Sequence, residues 1–246
     1  MIEVDGLTKL YGNLPAVQSL SFRVAPGDVL GLVGPNGAGK TTTLRSIAGI
    51  LVPTQGRVRI DGIDLLDHPQ EAKRRLAFVP DEPQLFDYLT VEEHLRFVGR
   101  LYGVADVEAR IAPLLAELEL GDKRRALPAE LSRGMRQKLA IGCGLLHSPS
   151  ALLLDEPLTG LDPGGIRKMK ATIAARARAD AAVILSSHLL HLVVELCTRL
   201  LLLHNGQIVA MGTIAEIVAE RPQLAGLGLE DIFLALTDRG DAAVGA

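Results

Sequence analysis

The chain has 246 residues, of which 48% are hydrophobic and only 3% aromatic, and its formal net charge is −3. This length allows one large domain or two small ones, and the composition predicts an aliphatic core. The near-neutral charge without a basic stripe argues against a nucleic-acid partner. The longest stretch without acidic or basic residues, 139–154, is too short to span a bilayer, and the N-terminus does not resemble a signal peptide. Cys143 and Cys197 lie in apolar surroundings, which is typical of buried, reduced thiols. We therefore expect a cytosolic protein.

Short apolar runs alternate with helical patterns along the chain, which predicts an α/β fold. The first ~30 residues and the segment 57–60 alternate polar and apolar residues, as half-exposed antiparallel strands do. The continuous apolar runs are instead typical of a parallel sheet that is buried on both faces. Asn205-Gly206 predicts a hairpin turn. The strands predicted for the buried sheet are 29–33, 76–79, 151–154, 183–186, 200–203 and 207–209.

Between these strands, the segment from Thr90 to Leu146 has a helical pattern throughout. Thr90 and Glu93 form a capping box, Asp106 is a candidate cap for a second helix, and a third helix is predicted to start near Ser132. We expect this block to form a subdomain beside the main sheet. After residue 212 we expect two short helices, the second an amphipathic one over 229–237 that buries Ile232, Phe233 and Leu236, and then a disordered end over 239–246.

A glycine-rich segment after the strand at 29–33 matches the phosphate-binding motif G-x-x-x-x-G-K-[ST] without departure. Its glycines allow backbone N–H groups to wrap a phosphate, and a helix predicted over 42–51 adds its dipole. Lys40 would reach the β- and γ-phosphates, and the Thr41 hydroxyl would ligate Mg²⁺. The predicted ATP-binding residues are Gly34, Pro35, Asn36, Gly37, Ala38, Gly39, Lys40, Thr41 and Thr42.

Two carboxylates follow the buried strand at 151–154. Asp155 ends this strand and is predicted to hold Mg²⁺ through water, while Glu156 is predicted to orient or deprotonate the water that attacks the γ-phosphate. A pair of solvated carboxylates at a strand end is the plainer alternative, and the phosphate-binding motif in the same chain argues against it.

The segment Leu131-Ser132-Arg133-Gly134-Met135-Arg136-Gln137 resembles the signature of ATP-binding cassette (ABC) proteins, which most often reads L-S-G-G-Q. In that family the signature Ser and second Gly bind the γ-phosphate held by a second subunit, which implies this role for Ser132 and Gly134. Arg133 and Met135 depart from the pattern, and such variants resemble the ABC-2 exporter branch. An ordinary helix cap with a surface arginine is the alternative for this segment taken alone.

The resemblance spans nearly the whole chain. Asp162 lies in a segment that resembles the D-loop, His188 resembles the switch histidine that contacts the γ-phosphate, and Tyr11 occupies the position of an adenine-stacking aromatic residue. Asp81 stands where the family usually has a glutamine, and it is predicted to offer an acidic oxygen to Mg²⁺. A plain loop start is the alternative for Asp81.

These observations predict a P-loop NTPase core with a mostly parallel sheet, an N-terminal antiparallel β subdomain and an inserted helical subdomain, all within one ABC ATPase domain. The predicted boundaries are 1–87 and 147–212 for the core with its β subdomain, 88–146 for the helical subdomain and 213–246 for the C-terminal helices and tail. A guanine-reading Asn-Lys-x-Asp segment is missing, which argues against a GTPase.

The resemblance implies an ATP-hydrolysing subunit, with ATP and Mg²⁺ as cofactors, that powers transport through a separate membrane-spanning permease. We expect export, a second ATPase subunit in a dimer, and a cytoplasmic chain held on the membrane face by its partner, with Tyr88 to Gly103 as the contact surface. The alternative is an ABC-type ATPase that acts on ribosomes or DNA.

Overall fold

The computed structural model describes residues 1–224, 226–228, 230–232 and 234–236. Its central feature is a six-stranded sheet with strand order β10-β9-β3-β8-β7-β6, in which β10 is antiparallel to β9 and the other neighbouring pairs are parallel. The strands are β3 (Val29–Val33), β6 (Leu76–Val79), β7 (Ala151–Asp155), β8 (Ala182–Ser186), β9 (Arg199–His204) and β10 (Gln207–Gly212). All six strands and the Asn205-Gly206 turn were predicted from sequence.

Alternate residues of the parallel strands enter two separate hydrophobic cores, because successive side chains of a strand point to opposite faces. In β7, Leu152 and Leu154 join the core that contains the helical block, whereas Ala151 and Leu153 join the core beneath the antiparallel sheet. Because both faces of these strands are buried, their sequences are continuous apolar runs.

A second sheet of four antiparallel strands, with order β2-β1-β4-β5, covers one face of the main sheet. Its strands are β1 (Ile2–Tyr11), β2 (Leu14–Val24), β4 (Gln55–Ile60) and β5 (Ile63–Asp64). The predicted α/β fold with an N-terminal antiparallel sheet is therefore confirmed.

Helix α1 (Lys40–Ile47) follows β3, and α2 (Pro69–Arg74) precedes β6. The predicted helix over 42–51 was wrong at both ends: the helix begins at Lys40, and Gly49, with φ +66°, lies beyond its end. Glycine adopts this left-handed conformation readily and so ends the helix.

Three α-helices lie between β6 and β7 in the chain, namely α3 (Val91–Leu101), α4 (Val107–Glu117) and α5 (Arg133–Leu145). The Thr90–Glu93 capping box is present, and Ser132 caps α5 by accepting a hydrogen bond from the Met135 N–H. Asp106 precedes α4 but has φ 49° and makes no capping hydrogen bond with its side chain, so its predicted capping role was wrong. The left-handed backbone there is incompatible with the extended conformation of a usual N-cap.

Further along the chain lie α6 (Pro163–Arg178), α7 (Leu190–Leu196) and α8 (Ile214–Ala219). Residues 230–232 and 234–236 are helical and Ile232 is buried, as predicted, whereas Leu236 is only partly buried. Leu229, Phe233 and residues 237–246 lie outside the described residues, so the rest of the predicted tail helix and the disordered end stay predictions. No helix in the described part of the chain combines the length and apolar character needed to cross a bilayer.

Burial raises the pKa of both thiols, Cys143 and Cys197, to about 12, and both are free.

Candidate functional site

The phosphate loop joins the C-terminal end of β3 to the first turn of α1. Gly39 precedes the helix with φ +104°, and its carbonyl oxygen accepts hydrogen bonds from both the N–H and the hydroxyl of Thr43. The Gly206 N–H donates to the carbonyl of Ala38 at 3.0 Å, which fixes the loop against the β9–β10 turn. The loop is therefore held by the backbone of the surrounding strands.

Two loop glycines leave no room for a side chain. A Cβ at Gly34 would lie 2.3 Å from the carbonyl oxygen of Leu203, and one at Gly39 would lie 2.5 Å from that of Ala16. These contacts are with backbone atoms that no side-chain movement can relieve. The two positions need glycine because neighbouring backbone approaches them closely.

Lys40 is only 8% exposed and its side chain turns back over the loop. Its Nζ donates hydrogen bonds to the carbonyl oxygens of Gly34, at 2.7 Å, and Pro35, at 3.0 Å. Burial lowers the pKa of Lys40, while the negative charges of Glu156 and Asp155 act in the opposite direction. The ammonium group thus lies in a site where an anionic ligand would be favourable.

Asp155 and Glu156 follow β7 and are tied to the neighbouring strand by Ser186. The Ser186 hydroxyl donates a 2.6 Å hydrogen bond to Asp155 Oδ1 and accepts one from the Glu156 N–H at 3.0 Å. Asp155 and Ser186 are both buried. Sequence reasoning missed Ser186, although its position at the end of a predicted strand, directly before Ser187-His188, was the available signal.

The side chain of Glu156 is held on two sides. His188 Nδ1 lies 2.8 Å from Glu156 Oε2, and the Thr159 hydroxyl donates to the same oxygen at 3.4 Å. Glu156 also has φ 50°, a left-handed conformation that is uncommon for a residue with a side chain and occurs often at functional sites. The side chains of His188 and Thr159 therefore orient the carboxylate.

One cleft brings most of the predicted site residues together. It collects the phosphate loop, both carboxylates, the switch histidine and Asp81, and it also contains Ala16 and Thr159, which sequence reasoning missed. Gly34 and Pro35 line an adjoining hollow with Asn36 and His188. The cleft is lined by Ala16, Asn36, Gly37, Gly39, Lys40, Thr41, Thr42, Asp81, Asp155, Glu156, Thr159 and His188.

Seven predicted residues do not line this cleft. Gly34 and Pro35 line the adjoining hollow, and Ala38 is buried in the core beneath the antiparallel sheet. The other four lie elsewhere. Ser132 caps α5, and a Cβ at Gly134 would lie 2.8 Å from the carbonyl oxygen of Gly160. Asp162 caps α6 by accepting a hydrogen bond from the Gly165 N–H, and Tyr11 is a half-exposed residue at the end of β1. One chain therefore presents the phosphate loop and the signature segment as separate surfaces.

The cleft offers hard oxygen donors from Thr41, Asp81, Asp155 and Glu156, which is the donor type that Mg²⁺ prefers. No cluster of three or more His, Cys, Asp or Glu side chains among the described residues is arranged to hold a metal ion. This arrangement fits Mg²⁺ rather than a protein-caged metal, since Mg²⁺ is commonly held by one or two carboxylates together with nucleotide phosphates.

Comparison with known proteins gives consistent results. A family model described as ABC transporter matches residues 17–159. The chain is 34% identical to the ABC-type transporter ATP-binding protein EcsA of Bacillus subtilis (strain 168), over 96% of both chains. It is 36% identical to the Nod factor export ATP-binding protein I of Paraburkholderia xenovorans (strain LB400), over 89% of this chain and 72% of that protein.

Two solved structures are also similar. The structure of an ATP-binding subunit of an ABC transporter superposes with a TM-score of 0.91 at 35% identity, covering 96% of this chain and 99% of that one. A dimeric structure of a bacterial ABC transporter cassette superposes with a TM-score of 0.78 at 25% identity, covering 87% and 99%.

Proposed function

The chain belongs to the ABC transporter family, as an ATP-binding, ATP-hydrolysing subunit, and we propose a role for each site residue in ATP binding, hydrolysis and transport. It powers export through a separate membrane-spanning permease. The observation that carries the proposal is that Glu156, already held by His188 at 2.8 Å, lines the same cleft as the phosphate loop. Export is supported by the resemblance of the signature variant and by the Nod factor export relative.

ATP binds with its phosphates against the backbone N–H groups of the phosphate loop, residues 34–42, in which only Pro35 has no N–H to donate. On binding, the ammonium group of Lys40 exchanges the loop carbonyls for the β- and γ-phosphates. Tyr11 stacks on the adenine. The Thr41 hydroxyl, Asp155 through water, and Asp81 would hold Mg²⁺, which would supply charge neutralisation at the phosphates.

Glu156 acts as the general base for hydrolysis. A water oxygen forms a bond to the γ-phosphorus while Glu156 takes a proton from that water, and the bond between the γ-phosphorus and the bridging oxygen breaks to leave ADP and phosphate. His188 positions the carboxylate and contacts the γ-phosphate. The Ser186 hydroxyl fixes the positions of the Asp155 carboxylate and the Glu156 backbone through its two hydrogen bonds.

The active unit is a head-to-tail dimer with two ATP molecules in its interface. The reason is that Ser132 and Gly134 stand at the N-terminus of α5, outside the cleft of their own chain, where an anion-binding site needs a phosphate from elsewhere. Asp162 lies in the same interface. The dimeric bacterial cassette supports this assembly.

Light scattering after size-exclusion chromatography tests the dimer. Glu156→Gln keeps the size of the side chain but removes the base, so ATP-bound dimers should accumulate. Adding Ser132→Arg should abolish them, because the longer side chain fills the phosphate position. Thr213→Arg is the matched control, since Thr213 caps α8 as Ser132 caps α5. Dimers that persist in the Ser132→Arg variant would overturn the signature assignment.

The permease docks on the apolar surface that follows the Asp81 loop. Tyr88 is 92% exposed, and Phe86 and Phe97, each about half exposed, pack edge to face at 5.2 Å. Exposed aromatic side chains of this kind are typical of interface anchors. A segment of the permease that covers them would be adjacent to the loop that lines the nucleotide cleft.

Co-purification with the permease tests this surface. Tyr88→Arg should remove the chain from the membrane fraction of cells that express both proteins, while Leu14→Arg, a control at another exposed apolar residue, should not. Expressed without a permease, the chain should stay out of the membrane fraction. Membrane recovery without a partner would contradict a peripheral cytoplasmic location.

An ATPase that acts on ribosomes or DNA is not favoured. The relatives of this chain named above carry transporter names, and the chain lacks a basic stripe.

A further inference from the structure

Two of the three departures from the family pattern, Arg133 and Asp81, contact each other. Arg133, in the signature position usually taken by glycine, has its Nη2 atom 3.4 Å from Oδ1 of Asp81, in the position usually taken by glutamine. They are 52 residues apart in the sequence. Their contact joins the loop after β6 to the first residue of α5.

The stem of Arg133 is placed by the D-loop segment. A Cβ added to Gly160, which has φ +79°, would lie 3.1 Å from Arg133 Cδ. The arginine stem therefore crosses a glycine surface before its guanidinium reaches Asp81. This packing directs the guanidinium toward the cleft-lining carboxylate.

The contact between Arg133 and Asp81 is weak enough for another cation to compete with the guanidinium for Asp81. The side chains of Arg133 and Asp81 are 54% and 44% exposed, and a single solvent-exposed contact of this kind is weak. Asp81 also lines the cleft with Thr41 and Asp155, the proposed Mg²⁺ ligands. The same carboxylate thus contacts the guanidinium and lines the cleft in which Mg²⁺ would be held.

We propose that Arg133 is a positioning residue that restrains Asp81 and thereby sets the Mg²⁺ requirement of the nucleotide site. The inference rests on the proposed nucleotide site. While Arg133 holds Asp81, the carboxylate is less available to the cation, and binding of Mg²⁺ with ATP must compete with the guanidinium. Coupling through Asp81 also links the cation to the N-terminus of α5, where the signature residues lie.

The test is a Mg²⁺ titration of nucleotide binding, followed by the fluorescence of a mant-labelled, non-hydrolysable ATP analogue. Arg133→Ala should lower the half-saturating Mg²⁺ concentration about two- to fivefold, in keeping with the strength of an exposed ion pair. Asp81→Asn should raise it, because a hard anionic ligand is lost. In the Asp81→Asn background, Arg133→Ala should have no further effect.

Two controls separate this role from general electrostatics. Arg133→Lys keeps the charge and should restore a value near that of the unmodified chain. Lys168→Ala removes the cation of another exposed ion pair, 3.1 Å from Glu119 and outside the cleft lining, and should change nothing.

The outcomes distinguish the two levels of the proposal. If the unmodified chain does not bind the analogue with Mg²⁺, the proposed nucleotide site fails. If it binds but Arg133→Ala leaves the titration unchanged, or shifts it equally in the Asp81→Asn background, the role of Arg133 is overturned.

Discussion

Replacing Gly39 by alanine tests whether the fold holds the phosphate loop as described. The residue has φ +104°, and an added Cβ would lie 2.5 Å from the carbonyl oxygen of Ala16 and 3.4 Å from side-chain atoms of Val17 and Leu203. The left-handed backbone costs a non-glycine residue about 1–2 kcal/mol. Relief of the overlap requires a backbone shift, for which an overpacked site typically loses about 1–3 kcal/mol. Together these terms give about 2–5 kcal/mol for Gly39→Ala.

Gly37→Ala is the matched control in the same loop. Gly37 has φ +82° but no atom within 4 Å of the added Cβ, so only the backbone cost of about 1–2 kcal/mol applies. Urea unfolding without nucleotide measures both variants, since the free energy of unfolding then reports strain alone. We also expect Gly39→Ala to weaken ATP binding at least about tenfold, because a displaced loop no longer matches the phosphates. Equal losses of stability in the two variants would refute the close backbone contact.

Three further predictions follow from charges and burial. Lys40→Ala should abolish ATP turnover and weaken ATP binding in a filter assay, because the one loop cation facing the phosphates is lost. Glu92→Gln should lower the free energy of unfolding by about 1–2 kcal/mol in urea at pH 7, because hydrogen bonding to Arg124 lowers the pKa of Glu92 to about 2. The stabilisation by the Glu92 carboxylate is fully present above pH 4.5 and is lost as the pH falls toward 2. Burial lowers the pKa of His147, which stacks on Tyr102 at 3.9 Å, so stability should fall as the pH drops below 6.5, and His147→Phe should reduce this dependence.

Each of these predictions has a contradicting result. Undiminished hydrolysis by Lys40→Ala would exclude the phosphate-loop site. A stability difference between Glu92→Gln and the unmodified chain that is as large at pH 2.5 as at pH 7 would show that the carboxylate charge is not involved. An unchanged pH slope in His147→Phe would assign the acid sensitivity to other groups.

The phosphate loop was predictable because its chemistry is local. Its buried strand, glycine-rich turn and helix lie next to each other in the sequence. Asp155 and Glu156 at the end of β7, and His188 after β8, could be placed because each follows a predicted strand. The same holds for Ser132, whose capping role depends on a residue only three positions away.

What the sequence did not reveal depends on contacts between distant segments. Ser186 joins Asp155 and Glu156 only because β7 and β8 are neighbours, and the Asp81–Arg133 pair needs the approach of the β6 loop to α5. The end of α1 and the uncapped start of α4 differ from expectation because Gly49 and Asp106 adopt left-handed backbone conformations that composition does not specify.

The most direct test of the central claim is a comparison of ATP binding and single-turnover hydrolysis in Glu156→Gln. If Glu156 is the base in this cleft, binding should stay near that of the unmodified chain while hydrolysis falls by about 10²- to 10⁴-fold, the usual contribution of a general base. Glu82→Gln, a nearby exposed carboxylate outside the cleft lining, should hydrolyse ATP normally. Hydrolysis by Glu156→Gln at the unmodified rate, with ATP bound, would contradict the account.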